Sequence, residues 1–233
     1  VNGEFIFPKI ISALGNKYKV LQDPDILIHN TANYGVPQLR KRVIIMGVRK
    51  DIEDKEAIDL YNSTKKTNWV SEDERAKIKG LKKYITVYDA ISDLPSVSPG
   101  EDASSASFSY PCNNDFLNRI GKKGKYPLFD HVARKHNDLD RERFTIMIRN
   151  HWTFGQLRRK LPQYEHKNAR IFDNSYVVQW WELPSKTILA HIHKDGFQYI
   201  HPDEKQARSF TVREAARIQS FPDDFEFAGS RGE

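Results

Sequence analysis

Sulfur is scarce in this 233-residue chain: one cysteine, Cys112, and two methionines, Met46 and Met147. A single cysteine excludes a disulfide scaffold. Long apolar runs are also missing. No stretch approaches the roughly 20 residues that a membrane helix needs, so no membrane role is expected. The start, VNGEFIFPKI, lacks the basic-then-apolar layout of a secretory leader. A reducing, cytoplasmic setting fits best. The chain opens on Val1 rather than on a methionine, which reads as a piece of a longer polypeptide.

What is present can bury a core. Hydrophobic residues make up 39% and charged residues 29%, with a mean hydropathy of −0.67, polar for a chain of this size. The length suits one large domain or two small ones. The formal net charge is +6. Much of it is local: residues 131–170 hold ten basic residues, Arg158, Arg159 and Arg170 among them, against four acidic ones. Trp152, Phe154 and Tyr164 are interleaved with them. Arginine and lysine mixed with aromatics suit a polyanion with stackable bases. A solvated basic face is the alternative.

The spacing of Ile10, Ile11 and Leu14 predicts a helix over 5–14, stopped by Gly15-Asn16. Residues 17–28 read as a strand region, and RVIIMGVR at 42–49 as a buried strand. Residues 50–83 are charged and weakly patterned, a surface excursion. A helix over 86–94 starts at the cap Thr86 and closes at Pro95. A Ser/Pro/Gly loop follows at 96–109. Residues 186–201 read as a hairpin about Lys194-Asp195-Gly196. Thr211 and Glu214 have capping-box spacing, and Pro222 ends that helix. Arg213 and Arg217 lie four apart on it, placed either for phosphate or for structural ion pairs.

Two motifs narrow the reading. NYGVPQLRKR at 33–42 resembles the Q-x-R-x-R motif of DNA cytosine-5 methyltransferases, with Gln38, Arg40 and Arg42 in the matching places. RSFTVREAARIQSFPDDFEF at 208–227 resembles the family's next motif, through Arg208, Thr211, Arg213, Glu214, Arg217, Gln219 and Pro222. Between them TVYDAISDLP, the His131 context and PSKTI (184–188) follow in family order. The resemblance runs along essentially the whole chain, most loosely at 50–84 and 101–180.

The resemblance implies an α/β fold. Residues 1–50 would be the terminal strands of a Rossmann-like sheet that binds S-adenosylmethionine, and 51–84 an excursion or linker. Residues 85–207 would be a smaller, irregular, mostly β target-recognition domain, and 208–233 a helix packing it onto the catalytic domain. The family's Gly-rich cofactor loop, Pro-Cys-Gln nucleophile and Glu-Asn-Val motif are not in this sequence. The chain is therefore expected to be the C-terminal portion of such an enzyme, inactive alone. It would work with an N-terminal catalytic half, in cis or as a separate chain, in a prokaryotic restriction-modification system.

By the family pattern Arg42 approaches the flipped cytosine and its phosphate, Arg40 supports the loop, and Gln38 aims both. Lys186, Thr187, Ile188, His193, Arg158, Arg159 and Arg170 are candidate contacts to double-stranded DNA. Arg208, Thr211, Glu214, Arg217 and Pro222 are structural. Tyr110-Pro111-Cys112-Asn113 is similar to a nucleophile motif, but the residue after the cysteine is Asn and the motif order is wrong, so Cys112 reads as a buried side chain. His191, His193 and His201, or His131 and His136, are weighed as metal ligands and set aside for want of a fourth suitably spaced donor. A stand-alone sequence-specific DNA-binding module, or a split-enzyme subunit without catalysis of its own, is the second reading.

Overall fold

The computed structural model describes residues 6–69, 80–105, 107–109, 114–121, 125–165, 175–190 and 196–229. It is a mixed α/β structure in which the chain forms two compact units. One is made of residues 1–34 and 40–83, the other of 35–39 and 84–233.

In the first unit, helix α1 (Ile6–Gly15) runs where the isoleucine spacing puts it and stops at Gly15. The 17–28 region is not one strand. It is β1 (Tyr18–Val20), the single turn α2 (Pro24–Leu27) and β2 (Ile28–Asn30). The break has a local cause: Asp23 caps the Asp25 N–H and Pro24 takes the first helical position. The 42–49 run is likewise divided, into β4 (Lys41–Val43) and β5 (Gly47–Arg49). β4 pairs antiparallel with β2, and β5 with β1. Between them the Ile44 carbonyl accepts the Tyr61 hydroxyl at 2.9 Å, and the Met46 N–H donates back to it at 2.7 Å. Tyr61 thus takes the backbone bonds a continuous strand would have used. The run is not buried either: Val43 is 52% exposed and Ile44 44%.

Tyr61 lies on α3 (Ala57–Ser63), so the charged 50–83 stretch is partly packed. β6 (Asn68–Trp69) pairs parallel with β7 (Lys82–Lys83). Every strand pairing among the described residues is two-stranded, and no larger sheet is formed by them.

The second unit is more helical than its sequence suggests. It holds α4 (Val87–Ile91), α5 (Leu117–Ile120), α6 (Asp138–Asn150), α7 (Phe154–Lys160) and α8 (Val212–Ile218). Its strands are β3 (Gln38–Leu39), β8 (Ser107–Ser109), β9 (Lys125–Pro127) and β10 (Ser185–Lys186). Helix prevails over the expected β character because the starts are well capped. Thr86, Thr153 and Thr211 each close a capping box, and Asn137 caps α6.

One core joins Val87, Ile91, Phe116, Leu117, Ile188, Tyr199 and Ile218. A second joins Phe144, Met147, Phe154, Leu157, Tyr176 and Ile200. The hairpin expected over 186–201 does not form as such. Its second arm is a 3-10 turn at Gly196–Tyr199, after which Ile200 bridges to Val178 and Ser209. Lys194 and Asp195 lie outside the described residues.

Candidate nucleic-acid interface

The motif that begins at Asn33 turns through Gly35, whose φ of 79° is in the region glycine adopts without strain. The chain then enters β3. Gln38 is 1% exposed, while Leu39 faces outward, as alternation along a strand requires. β3 pairs parallel with β10, Gln38 opposite Ser185 and Leu39 opposite Lys186. The Ser185 N–H donates to the Pro37 carbonyl at 2.9 Å, and the Thr187 hydroxyl to the Leu39 carbonyl at 2.6 Å. These bonds join the start of Q-x-R-x-R to PSKTI across 148 residues of sequence. Gln179 secures the same strand end. Its side-chain oxygen accepts from the Ser185 hydroxyl and the Lys186 N–H, and its amide donates to the Gln198 carbonyl.

The predicted contact residues fall into three groups. Lys186 is exposed, its ammonium 3.0 Å from Gln198 Oε1. Arg159 is exposed, and Arg158 is half-buried with Glu165 3.4 Å away. Arg42 is exposed on β4 and donates to the Lys41 carbonyl, while the half-buried Arg40 bonds through its backbone to Asn30 and Thr31. Ile188 corrects its assignment: at 4% exposure it is a core side chain and presents no surface to a ligand. It follows Thr187 on the inward side of the segment. His193, Arg170 and Cys112 lie outside the described residues, as does His191. Among the described residues no group of three His, Cys, Asp or Glu side chains can hold a metal.

The Arg213 and Arg217 alternative is decided by burial. Arg208, Arg213 and Arg217 are all 0% exposed, out of reach of any phosphate. Arg208 forms a bidentate pair with Glu214 at 2.7 and 2.8 Å. Arg217 forms another with Asp223, both bonds 2.8 Å, and donates to Asp93 at 2.6 Å. Arg213 donates to the carbonyls of Phe129, Pro222 and Phe225, which is the part Pro222 plays. Buried guanidinium groups need this degree of satisfaction.

The same surroundings shift the acids and bases. Burial works to raise the Glu214 carboxyl, but the charge of Arg208 and its hydrogen bonds hold it far below the usual range. Burial raises Asp93 despite Arg217 beside it. Burial lowers His201 to about 4, against the attraction of Glu214. Its Nδ1 accepts the Asp203 N–H, and its Nε2 lies 3.5 Å from Glu214. His131 is likewise lowered by burial. Its Nε2 donates to the Pro95 carbonyl at 2.9 Å, which leaves Nδ1 to accept from the Thr211 hydroxyl at 3.0 Å. Asp93 and Gln179 are not among the residues the sequence singles out, and His201 is weighed there only as a metal ligand.

With this geometry in hand, the chain can be set beside known proteins. The model of the C-5 cytosine-specific DNA methylase family matches residues 6–233. The chain belongs to this family. Among its relatives, the type II methyltransferase M.Bpa9945I of Bacillus paralicheniformis is 35% identical, over 86% of this chain and 43% of its own length. M.DdeI of Desulfomicrobium norvegicum is 30% identical, over 88% of this chain and 46% of its own. The chain thus spans less than half the length of these curated relatives. A crystal structure described as a DNA modification methyltransferase encoded within an E. coli prophage superposes with a TM-score of 0.57. At 20% identity it covers 95% of this chain and 56% of that one, and shows the fold alone. No described helix of the chain is long and apolar enough to cross a membrane.

S-adenosylmethionine is the family's cofactor. It carries an ammonium group and ribose hydroxyls that call for acceptors. A cavity of about 620 Å³ in the first unit, lined by Phe7, Ile11, Ser12, Tyr18, Lys19 and Gln22 among others, offers Ser12 and Gln22 as neutral acceptors and no carboxylate among its described lining. It does not fit that group.

Proposed function

We propose that this chain is the DNA-engaging, C-terminal portion of a type II cytosine-5 methyltransferase of a restriction-modification system. Residues 85–207 bind double-stranded DNA and read its sequence, and residues 1–50 supply terminal strands of the catalytic domain. The cofactor and the nucleophile are held by the part of the enzyme that the relatives carry beyond the matched span.

One observation carries the reading: the parallel pairing of β3 with β10. It joins Gln38 and Leu39, at the start of Q-x-R-x-R, to the segment that presents Lys186. Taking a cytosine out of the duplex costs a few kcal/mol. An exposed, always-charged guanidinium on a short strand suits the base oxygen and phosphate that flipping brings within reach. Lys186 suits a neighbouring phosphate as a point charge. Ile28 and Val43, directly opposite each other on β2 and β4, are 43% and 52% exposed, an apolar face of the kind covered inside a larger sheet.

The test uses the full-length gene product, plasmid DNA and labelled S-adenosylmethionine, with bisulfite sequencing of the product. The expected result is 5-methylcytosine at one short sequence. Sequence-specific duplex binding with no methylcytosine would favour a binding module instead.

A further inference from the structure

The basic residues around α6 and α7 divide sharply. Arg143 is buried, with Asp140 at 2.7 Å and the Tyr164 carbonyl at 2.9 Å. Arg158 is turned to Glu165 and lies over the Phe154 ring. Arg159 and Lys160 instead face solvent. α7 reads FGQLRRK and has no acidic residue. Phe154 and Leu157 form its buried side. Gly155 and Arg159, and Gln156 and Lys160, are two four-residue pairs, which place all four on the opposite stripe.

This stripe sits on a rigid support. α6 ends at Asn150, and His151 takes a left-handed conformation with φ 53°. The His151 N–H returns to Ile148 and the Trp152 N–H to Met147, which closes the helix end. Two residues later Thr153 caps α7 and anchors Gln156, whose side-chain oxygen accepts the Thr153 N–H at 2.8 Å. The Lys160 ammonium is held 4.9 Å from the Trp152 ring centroid. Phe144, Met147, Phe154 and Leu157 lock the two helices into one core. Two helices joined by a three-residue turn form the arrangement that offers a second helix to a groove.

We infer that α7 is the helix that enters a groove of duplex DNA, with Arg159 and Gln156 at base edges and Lys160 on a phosphate. This rests on the methyltransferase reading above. Arginine and glutamine are the side chains that pair in two places with guanine and adenine. Gly155 adds no side chain, so the backbone beside them approaches closely. A merely solvated basic face would carry interspersed acidic residues, as the exposed side of α6 does with Asp138 and Glu142.

The experiment uses the full-length enzyme and a plasmid library, with bisulfite sequencing to define the methylated site. Arg159→Ala and Gln156→Ala each lower the preference for that site over single-base variants by about tenfold or more, at one or two positions. Arg159→Lys retains binding and loses the preference, because an ammonium cannot span two acceptors. Lys160→Ala weakens all sites alike and reduces the salt slope by about one. Circular dichroism identifies any variant that fails to fold, and Arg159→Gln then replaces Arg159→Ala. Retention of the full preference in folded Arg159 and Gln156 variants overturns the inference. If the wild type makes no methylcytosine, the methyltransferase reading fails. Fluorescence anisotropy with random-sequence duplex then decides about α7, since binding unaffected by Arg159→Ala with Lys160→Ala rejects it.

Discussion

The unit of residues 35–39 and 84–233 keeps three arginines at 0% exposure, while the unit of residues 1–34 and 40–83 leaves Ile28, Val43 and Ile44 between 43% and 52% exposed. Charged groups are sealed in the first, which also exposes Leu139 and Leu189, and in the second apolar groups stand open opposite each other on paired strands. In the arginine-rich unit each buried charge meets a carboxylate or a set of carbonyls, so it satisfies its own interior. The β2–β4 pair makes its backbone bonds but leaves one face without packing. The contrast separates a unit finished by its own residues from one whose outer face is suited to burial by more protein.

The largest expected effect comes from breaking the sealed network. Glu214→Ala leaves Arg208 buried and uncompensated, and removes the capping-box bond to Thr211. A loss of about 3–5 kcal/mol is expected from stranding a buried charge, measured by urea unfolding. A loss below about 1 kcal/mol would mean that water reaches this interior.

A somewhat smaller effect comes from pH. His201 is lowered to about 4 from 6.5, so the unfolded chain binds its proton first. The stability His201 contributes is complete above about pH 6.5 and is lost as pH falls through about 4. The expected loss is about 3 kcal/mol across that window. His201→Gln should flatten this part of the profile, and an unchanged profile would assign the acid sensitivity elsewhere.

Arg42→Ala tests the DNA contact proposed for the open unit. The side chain is exposed, so unfolding stability should hardly change. In the full-length enzyme, turnover should fall about ten- to hundred-fold, the worth of one hydrogen bond to a charged group. Single-turnover kinetics separates that loss from DNA affinity. The smallest effect belongs to Val43→Ser. In the chain alone it should stay within about 0.5 kcal/mol, since the site is exposed. In the full-length enzyme the same change should cost more than about 1 kcal/mol if the face is covered, and equal values in both would remove the contrast.

What was legible in the sequence was local. Gly15 stops α1, Thr86 starts α4, and Thr211 with Glu214 caps α8, because each signal lies within four residues of what it controls. What was not legible depended on distant partners. Arg217 could not be told from a phosphate binder, since Asp93 lies 124 residues away. The division of 42–49 came from Tyr61, and the burial of Ile188 from Phe116 and Tyr199, none of which the local pattern shows. Motif points to Lys186, Thr187 and Ile188, and local charge to Arg158, Arg159 and Arg170, but neither signal singles out the uncharged Gln156.

The β3–β10 pairing also sets a schedule for synthesis. β3 leaves the ribosome some 148 residues before the segment that completes it. At about 5–20 residues per second, the nascent chain holds that edge open for roughly 7–30 seconds. During that interval the edge is a two-residue strand containing the polar Gln38, too short to template pairing with a neighbouring chain. Brevity here protects the growing polypeptide until its late partner arrives.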